Sequence, residues 1–514
     1  MEHVEVRAGA YADSVTLLQV SAQVQAVPGV RSALIAMATE LNTGLLAGLG
    51  MSPPAGATPN DLIVAVSAAD DESLGRALGT VDSLLADRSA AAGGGNGAEQ
   101  APRTTLSAIR RGGPAVCLVS VPGPHAFAEA CDALDAGCDV MIFSDNVPVE
   151  QEIALKDRAG RHGLLVMGPD CGTAIIGGIG LGFSHSVAGG PIGLVAASGT
   201  GAQQMVSLLD AAGAGVGAVL GVGGRDLSAR VRGRSARTAL RRLDEDPDCE
   251  LAVLVSKPPD EQVAAELREF AATLSTPVRF ALIGAGQPDL TAAAAAALAD
   301  IGRAAPRWPR WDPAGPPPAP PPPDEPGQER RGLRGLFSGG TLCDEAMVIA
   351  AERLGPVYSN IPLRPQWRAD GEPAWRQNLM IDFGDDELTA GRPHPMIDPS
   401  LRLARLAAEA ADPSVAVILL DVVLGYGAHQ DPAAEFGPAI AAALAGRPAG
   451  HLAVVVSLIG TRSDPQSLPA QAQALAGAGA HVFGSNAQAA RFACDVAAGR
   501  LAAGRDLAGR ESAP

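Results

Sequence analysis

Gly190-Pro191-Ile192-Gly193-Leu194-Val195-Ala196-Ala197-Ser198-Gly199-Thr200-Gly201-Ala202-Gln203-Gln204-Met205 begins the stretch whose reading decides the fold, and it runs on to Gly221-Val222-Gly223-Gly224-Arg225-Asp226. Residues 192–197 are an apolar run of strand length. Residues 198–201 break that run, and a helical pattern follows with Met205, Leu208 and Leu209 on one face. A second apolar run, 216–220, ends in another Gly-rich turn. Strand, turn, helix, strand, turn is the grammar of a parallel sheet. Ser198 or Thr200 can cap the helix, whose free N–H groups and dipole favour an anion above the strand end. A plain capped turn would use the same residues.

The pattern occurs twice. Gly335-Leu336-Phe337-Ser338-Gly339-Gly340-Thr341 repeats the strand and its turn, and residues 380–386 stand where 221–226 stood. Residues 246–259 match 412–423, and 279–284 match 454–460. Four landmarks in one order predict a duplicated α/β unit, each copy a domain with its own core.

Working outward, the 514 residues call for three or four domains. Hydrophobic residues make up 47% and charged ones 18%, so large cores can form; aromatics at 3% point to cores of Ala, Val and Leu around parallel sheets. A formal charge of −17 without a basic tract argues against nucleic acid or anionic membrane as partner. Seven dispersed cysteines without a CxxC pair read as reduced thiols of a cytoplasmic protein, with no metal site expected. Residues 1–10 lack a signal-peptide pattern, and no run of about 20 apolar residues exists to span a membrane.

The expected domains are a small α/β unit at 1–90, a second α/β unit at 104–187, the first repeat copy at 188–304, a Pro-rich linker at 305–330 and the second copy at 331–503. Residues 89–103 read as a Gly/Ala loop and the tail to 514 as loose. In the second unit three strands end in small polar residues, at Pro122-Gly123-Pro124-His125, Ser144-Asp145-Asn146 and Pro169-Asp170-Cys171-Gly172-Thr173. Ligands bind at such strand ends. Cys171 has no local base and reads as packing. Arg392 and His394, in the proline-stiffened Arg392-Pro393-His394-Pro395, are the candidate catalytic groups, with a capped structural loop as the competing reading. Lys257 is a lone cation at a strand end. Gly425-Tyr426-Gly427-Ala428-His429 can offer another helix N-terminus, with His429 at the surface. The arginines of 230–242 read as a solvated helix face.

FSDNVPVEQEIALKDRA (143–159), LLVMGPDCGT (164–173), GLVAASGTGAQQ (193–204), GVGGRDLS (221–228) and GRPHPMIDP (391–399) resemble the FdrA proteins and, through them, the succinyl-CoA synthetase superfamily. The resemblance covers nearly the whole chain. It implies an α/β multidomain protein: a Rossmann-like CoA-binding-type domain at 104–187, a flavodoxin-like α-subunit-type ligase domain at 188–304 and a β-subunit-type ligase domain at 331–503. It also implies that Ser198-Gly199-Thr200 and Gly425-Tyr426-Gly427 face a shared phosphate. The candidate phosphate or substrate contacts are therefore Ser198, Gly199, Thr200, Gly201, Gly223, Gly224, Arg225, Lys257, Ser338, Gly339, Gly340, Thr341, Gly425, Gly427, Asn146, Pro169 and Asp170.

Two departures separate the chain from the synthetases. Their phosphorylated His sits in a Gly-His-Ala-Gly loop where this chain has Gly284-Ala285-Gly286-Gln287, and no ATP-grasp domain is present. FdrA-like proteins are linked to oxamate carbamoyltransferase, which converts oxalurate and phosphate to oxamate and carbamoyl phosphate in purine (allantoin) catabolism. The resemblance thus implies a small anionic substrate, phosphate as co-substrate, further subunits of a complex and a possible homo-oligomer. An acyl-CoA synthetase using CoA and ATP/Mg with a separate nucleotide-binding subunit is the alternative enzyme, and a non-catalytic regulatory subunit the alternative from another class.

Overall fold

In a computed structural model of the chain, the described residues are all except 11, 13, 49–50, 52–55, 93–101, 114–115, 314–331, 370–377, 390–391 and 501–514. Most of the expected Pro-rich linker, the centre of the Gly/Ala loop and the tail lie outside them.

The first unit contains β1 (Glu2–Arg7), α1 (Ser14–Gln25), β2 (Val30–Met37), α2 (Glu40–Gly48), β3 (Leu62–Ala68) and α3 (Asp71–Ala92). Its antiparallel sheet has the order β1-β3-β2. The second contains α4 (Thr105–Gly112), β4 (Val116–Val119), α5 (Gly123–Asp135), β5 (Asp139–Ile142), α6 (Val149–Arg161) and β6 (Val166–Met167), with the parallel order β4-β5-β6.

The first repeat copy is built from β7 (Thr173–Ile176), β8 (Ile179–Gly182), β9 (Ile192–Ala197), α7 (Gly199–Ala211), β10 (Ala218–Gly221), α8 (Arg234–Asp244), β11 (Leu251–Ser256), α9 (Glu261–Ala271), β12 (Val278–Leu282) and α10 (Leu290–Asp300). The second has β13 (Arg310–Trp311), β14 (Gly332–Phe337), α11 (Gly340–Leu354), β15 (Val357–Tyr358), β16 (Asn378–Asp382), α12 (Asp386–Thr389), α13 (Ser400–Ala411), β17 (Val415–Val423), α14 (Pro432–Ala445), β18 (Ala453–Ile459), α15 (Leu468–Gly477), β19 (His481–Phe483) and α16 (Asn486–Ala497).

The duplication is visible in the strand order. The first sheet runs β12-β11-β9-β10 and the second β18-β17-β14-β16, each set parallel throughout. Alternate residues enter opposite cores: Leu194 and Val253 lie in one, Val195 and Leu254 in the other. Both faces of β9 and β11 are buried, which is why they read as unbroken apolar runs. Each such side chain, fully buried, stabilises the fold by about 1.5–3 kcal/mol.

The copies pack through a reciprocal interface. Gln204, the sixth residue of α7, crosses to the start of α16, donating to the Gly484 carbonyl (3.1 Å) and accepting from the Asn486 N–H (2.8 Å). Glu345, the sixth residue of α11, crosses the other way and accepts from the Leu290 N–H at the start of α10 (2.7 Å). Exchanged contacts of this kind are the mark of a two-fold-related pair.

Several expectations shift. The hairpin β7–β8 precedes the expected boundary at 188 yet joins the sheet of the first copy, because β7 pairs antiparallel with β10. Within the expected linker, β13 pairs with the edge strand β19. The arginines of 230–242 are not a merely solvated face: Arg234 bonds Asp157 (2.7 Å), Arg237 bonds Glu266 (3.1 Å), and Arg230 and Arg242 pair with Glu150 and Asp139. They join α8 to the second unit and to α9. Among the described residues no helix is long and apolar enough to cross a membrane.

Candidate functional site

The N-termini of α7 and α11 meet head to head. The Ser198 and Thr341 hydroxyls are hydrogen-bonded at 2.6 Å, and a Cβ built on Gly339 would lie 2.5 Å from the Thr200 methyl. Only Gly at 339 allows that approach. Ser198 caps α7 by accepting from the Gly201 N–H (2.9 Å), whereas α11 has no side-chain cap. First-turn donors at Gly199, Thr200, Gly340 and Thr341 have no intrahelical acceptor by construction. Each N-terminus carries roughly half a positive charge, so two abutting ends favour negative charge beside them.

The two loops differ beneath this similarity. In the second copy the buried Asp421 carboxylate accepts from the Ser338 N–H (2.7 Å) and the Gly339 N–H (3.0 Å), and Arg402 balances it at 2.7 Å. By register, Ser256 stands at the matching place in the first copy, so no built-in carboxylate holds the Ser198 loop in the same way.

A cavity of about 1880 Å³ opens over these ends. Ser198, Gly199, Thr200, Ser338, Gly339, Gly340, Thr341, Gly224, Arg225, Lys257, Asn146, Pro169, Asp170, Arg392 and His394 all line it. Gly201 lies just behind the wall, its Cβ position 3.1 Å from the Thr341 methyl. Gly223, at φ +87°, packs under Pro169, where a Cβ would strike the Pro169 carbonyl. Asn146 and Asp170 both sit in the left-handed region, at φ +54° and +56°, which Asn and Asp adopt more readily than other side chains, and both line the cleft.

Gly425 and Gly427 do not reach the cleft. The Tyr426 N–H donates to the Ser184 carbonyl (2.8 Å), Gly425 packs where a Cβ would lie 2.5 Å from that oxygen, and Gly427 abuts the Phe183 ring. The next helix, α14, begins only at Pro432 with Asp431 as its cap. The second helix end facing Ser198 is therefore that of α11. His429 is half-buried at the cavity wall rather than on the open surface.

Arg225 is partly engaged, donating to the Val147 carbonyl (2.7 Å) and lying 3.0 Å from Glu152. Its neighbour Asp226 has no surface. Asp226 and Glu152 flank the buried Lys156 at 2.7 and 2.8 Å, and Lys156 also donates to the Val222 carbonyl (2.9 Å). The EQEIALK and GGRD motifs thus meet as one junction between the second unit and the first copy. Cys171 is buried and its thiol is pushed up to about 12 by burial, in keeping with packing.

The cleft also holds acids that the sequence pattern did not mark: Asp145, Asp344, Asp382 and Asp386. Burial lifts Asp344 and Asp382 to about 7. Asp170 is exposed to the cavity, whose walls crowd its carboxyl and raise it to about 7 against the pull of Lys257. At neutral pH these three are part-protonated, so the cleft can admit an anion and can also supply a proton. Asp382 is clamped by Asn360, whose amide donates to the Asp382 carbonyl (2.9 Å) and accepts from its N–H (3.0 Å). Phe143, Phe183 and His394 form a tilted ladder with centroids 5.8 and 5.3 Å apart.

The roof of the cavity comes from the first unit, including Leu17, Ser21, Met37 and Asn42.

Residues 336–496 match the CoA-ligase family, and residues 1–102 match "AllF, heavy metal-associated domain". YahF of Escherichia coli (strain K12) is 37% identical over 495 residues, covering 93% of this chain and 95% of YahF. The succinate–CoA ligase [ADP-forming] subunit alpha 2 of Archaeoglobus fulgidus is 30% identical over 177 residues, covering 33% of this chain and 59% of that subunit. Among solved structures, acetyl-coenzyme A synthetase 1 of Ca. Korarchaeum cryptofilum in complex with phosphate and ADP aligns over 74% of this chain and 83% of its own, at 15% identity and a TM-score of 0.26. Residues 1–102 contain no cysteine and one histidine, His3, which bonds Glu5. They do not fit a soft-metal site, which thiolates would build.

Proposed function

The chain belongs to the family that includes YahF of Escherichia coli, and on that premise we propose that it binds inorganic phosphate between the α7 and α11 N-termini and directs it at a carbonyl carbon. The observation that carries this reading is the head-to-head meeting of two helix ends at the floor of one cleft. Their N–H groups would hold phosphate and the oxyanion that develops as it attacks. Lys257 and Arg392 would offset the charge of an anionic substrate.

The reaction proposed is phosphorolysis of oxalurate, performed with other subunits. A phosphate oxygen forms a bond to the carbamoyl carbon, the carbon–nitrogen bond breaks, and the departing oxamate nitrogen takes a proton. Asp170, Asp344 and Asp382 hold protons near neutrality and so suit that last step. Neither nucleotide nor phosphohistidine is needed. Mass spectrometry of the chain with its partner subunits, oxalurate and phosphate should find oxamate and carbamoyl phosphate without ATP or CoA. Unchanged oxalurate would refute the proposal.

A second reading is acyl-CoA synthesis with a separate nucleotide-binding subunit, favoured by the CoA-ligase match and the succinate–CoA ligase likeness. Product formation that depends on both ATP and CoA would select it.

A further inference from the structure

His394 is fixed in one tautomer. Its Nδ1 lies 3.3 Å from the Met396 N–H, which can only donate, so Nδ1 must be an unprotonated acceptor. The Phe183 ring covers one side of the imidazole. Burial, with the Arg402 guanidinium from α13, holds the ring neutral down to about 4. A neutral imidazole whose Nδ1 accepts carries its proton on Nε2. That atom sits at the cleft wall: a Cβ built on Gly384 would lie 3.0 Å from Nε2 and 3.2 Å from Asp382 Oδ1. Asp382 from β16, Arg402 from α13 and the Phe183 ring are the groups that face it.

We propose that His394 serves the cleft as an uncharged Nε2–H donor to the phosphate or to the oxyanion developing on substrate, and not as a nucleophile or proton shuttle. This rests on the phosphorolysis reading. The Nδ1 lone pair is engaged and the Nε2 lone pair belongs to the ring π system, so neither nitrogen can attack phosphorus without a tautomer change. A neutral imidazole that polarises an oxygen without giving up its proton is a known catalytic device, and its benefit is a donor placed before the charge appears.

The test uses the full chain with 15N-labelled histidine. Comparison with His394→Gln assigns the signal among the eight histidines. The expected result is one protonated and one unprotonated nitrogen that do not titrate between pH 5.5 and 8. Added inorganic phosphate should move the Nε2 signal. His394→Gln, which retains a donor near Nε2, should hold phosphate affinity within a fewfold, while His394→Ala should lose about tenfold or more. The seven remaining histidine signals report whether each variant is folded. A protonated Nδ1, or titration near the ordinary imidazole value, overturns the assignment. Phosphate-independent Nε2 signals from a correctly assigned tautomer would instead sink the phosphate reading.

Discussion

Replacing Gly199 with aspartate should remove phosphate binding and leave the fold intact. A Cβ at Gly199 meets only the Thr173 hydroxyl, at 3.4 Å, an ordinary contact. Gly199 is the first residue of α7, where a carboxylate favours the helix by about 0.3–1 kcal/mol. Folding therefore gives no reason for a loss. The same carboxylate would stand where the account puts phosphate. Two unit charges about 4 Å apart, at an effective dielectric near 20, repel by roughly 4 kcal/mol. That is about a thousandfold in affinity, and salt screens it little inside a cleft. Equilibrium dialysis with labelled phosphate measures the change, with thermal melts as a folding control. Gly199→Asn has the same shape without the charge and should bind within a fewfold of wild type. Wild-type affinity in a folded Gly199→Asp protein would show that phosphate is held elsewhere.

Gly339→Val should push α7 and α11 apart, because its Cβ would lie 2.5 Å from Thr200. An overpacking cost of about 1–3 kcal/mol in urea titrations and weakened phosphate binding are expected, and unchanged values would deny the close approach. Lys156→Met leaves the buried Asp226 without its cation and Glu152 with Arg225 alone, and should cost about 3–5 kcal/mol by the same assay; a neutral outcome would remove the junction. Stability should fall as pH rises from about 4 to 7, then level. Asp170, Asp344, Glu345 and Asp382 are held near 7 when folded, so in that range the native state binds more protons than the unfolded one. His394, held down near 4, and His481, lowered by burial, act in the opposite sense but are two groups against four. A urea midpoint at pH 8 equal to or above that at pH 5 would contradict this balance.

The duplicated sheets were legible because strands buried on both faces leave apolar runs such as residues 192–197 and 415–420, closed by Ser198 and Asp421. The hairpin β7–β8 was legible too, though unmarked. Gly177 and Gly178, both at positive φ, are the two-residue turn that joins short apolar runs. The contact that makes the site was not legible: Ser198 and Thr341 are 143 residues apart, and only tertiary packing brings them together. Asp344 looked like an ordinary helix residue, since nothing local says that its face of α11 closes a cleft. Gly425 misled for a related reason. Its glycine answers a close approach by the Ser184 carbonyl, which in sequence looks the same as a close approach by phosphate.

A crystal structure of the chain with inorganic phosphate tests the central claim most directly. The account predicts tetrahedral density within hydrogen-bond distance of backbone N–H groups from both helix ends, among Gly199 and Thr200 on one side and Gly340 and Thr341 on the other, with His394 Nε2 turned towards it. Phosphate bound elsewhere, with the two helix ends closed on each other and dry, would contradict it.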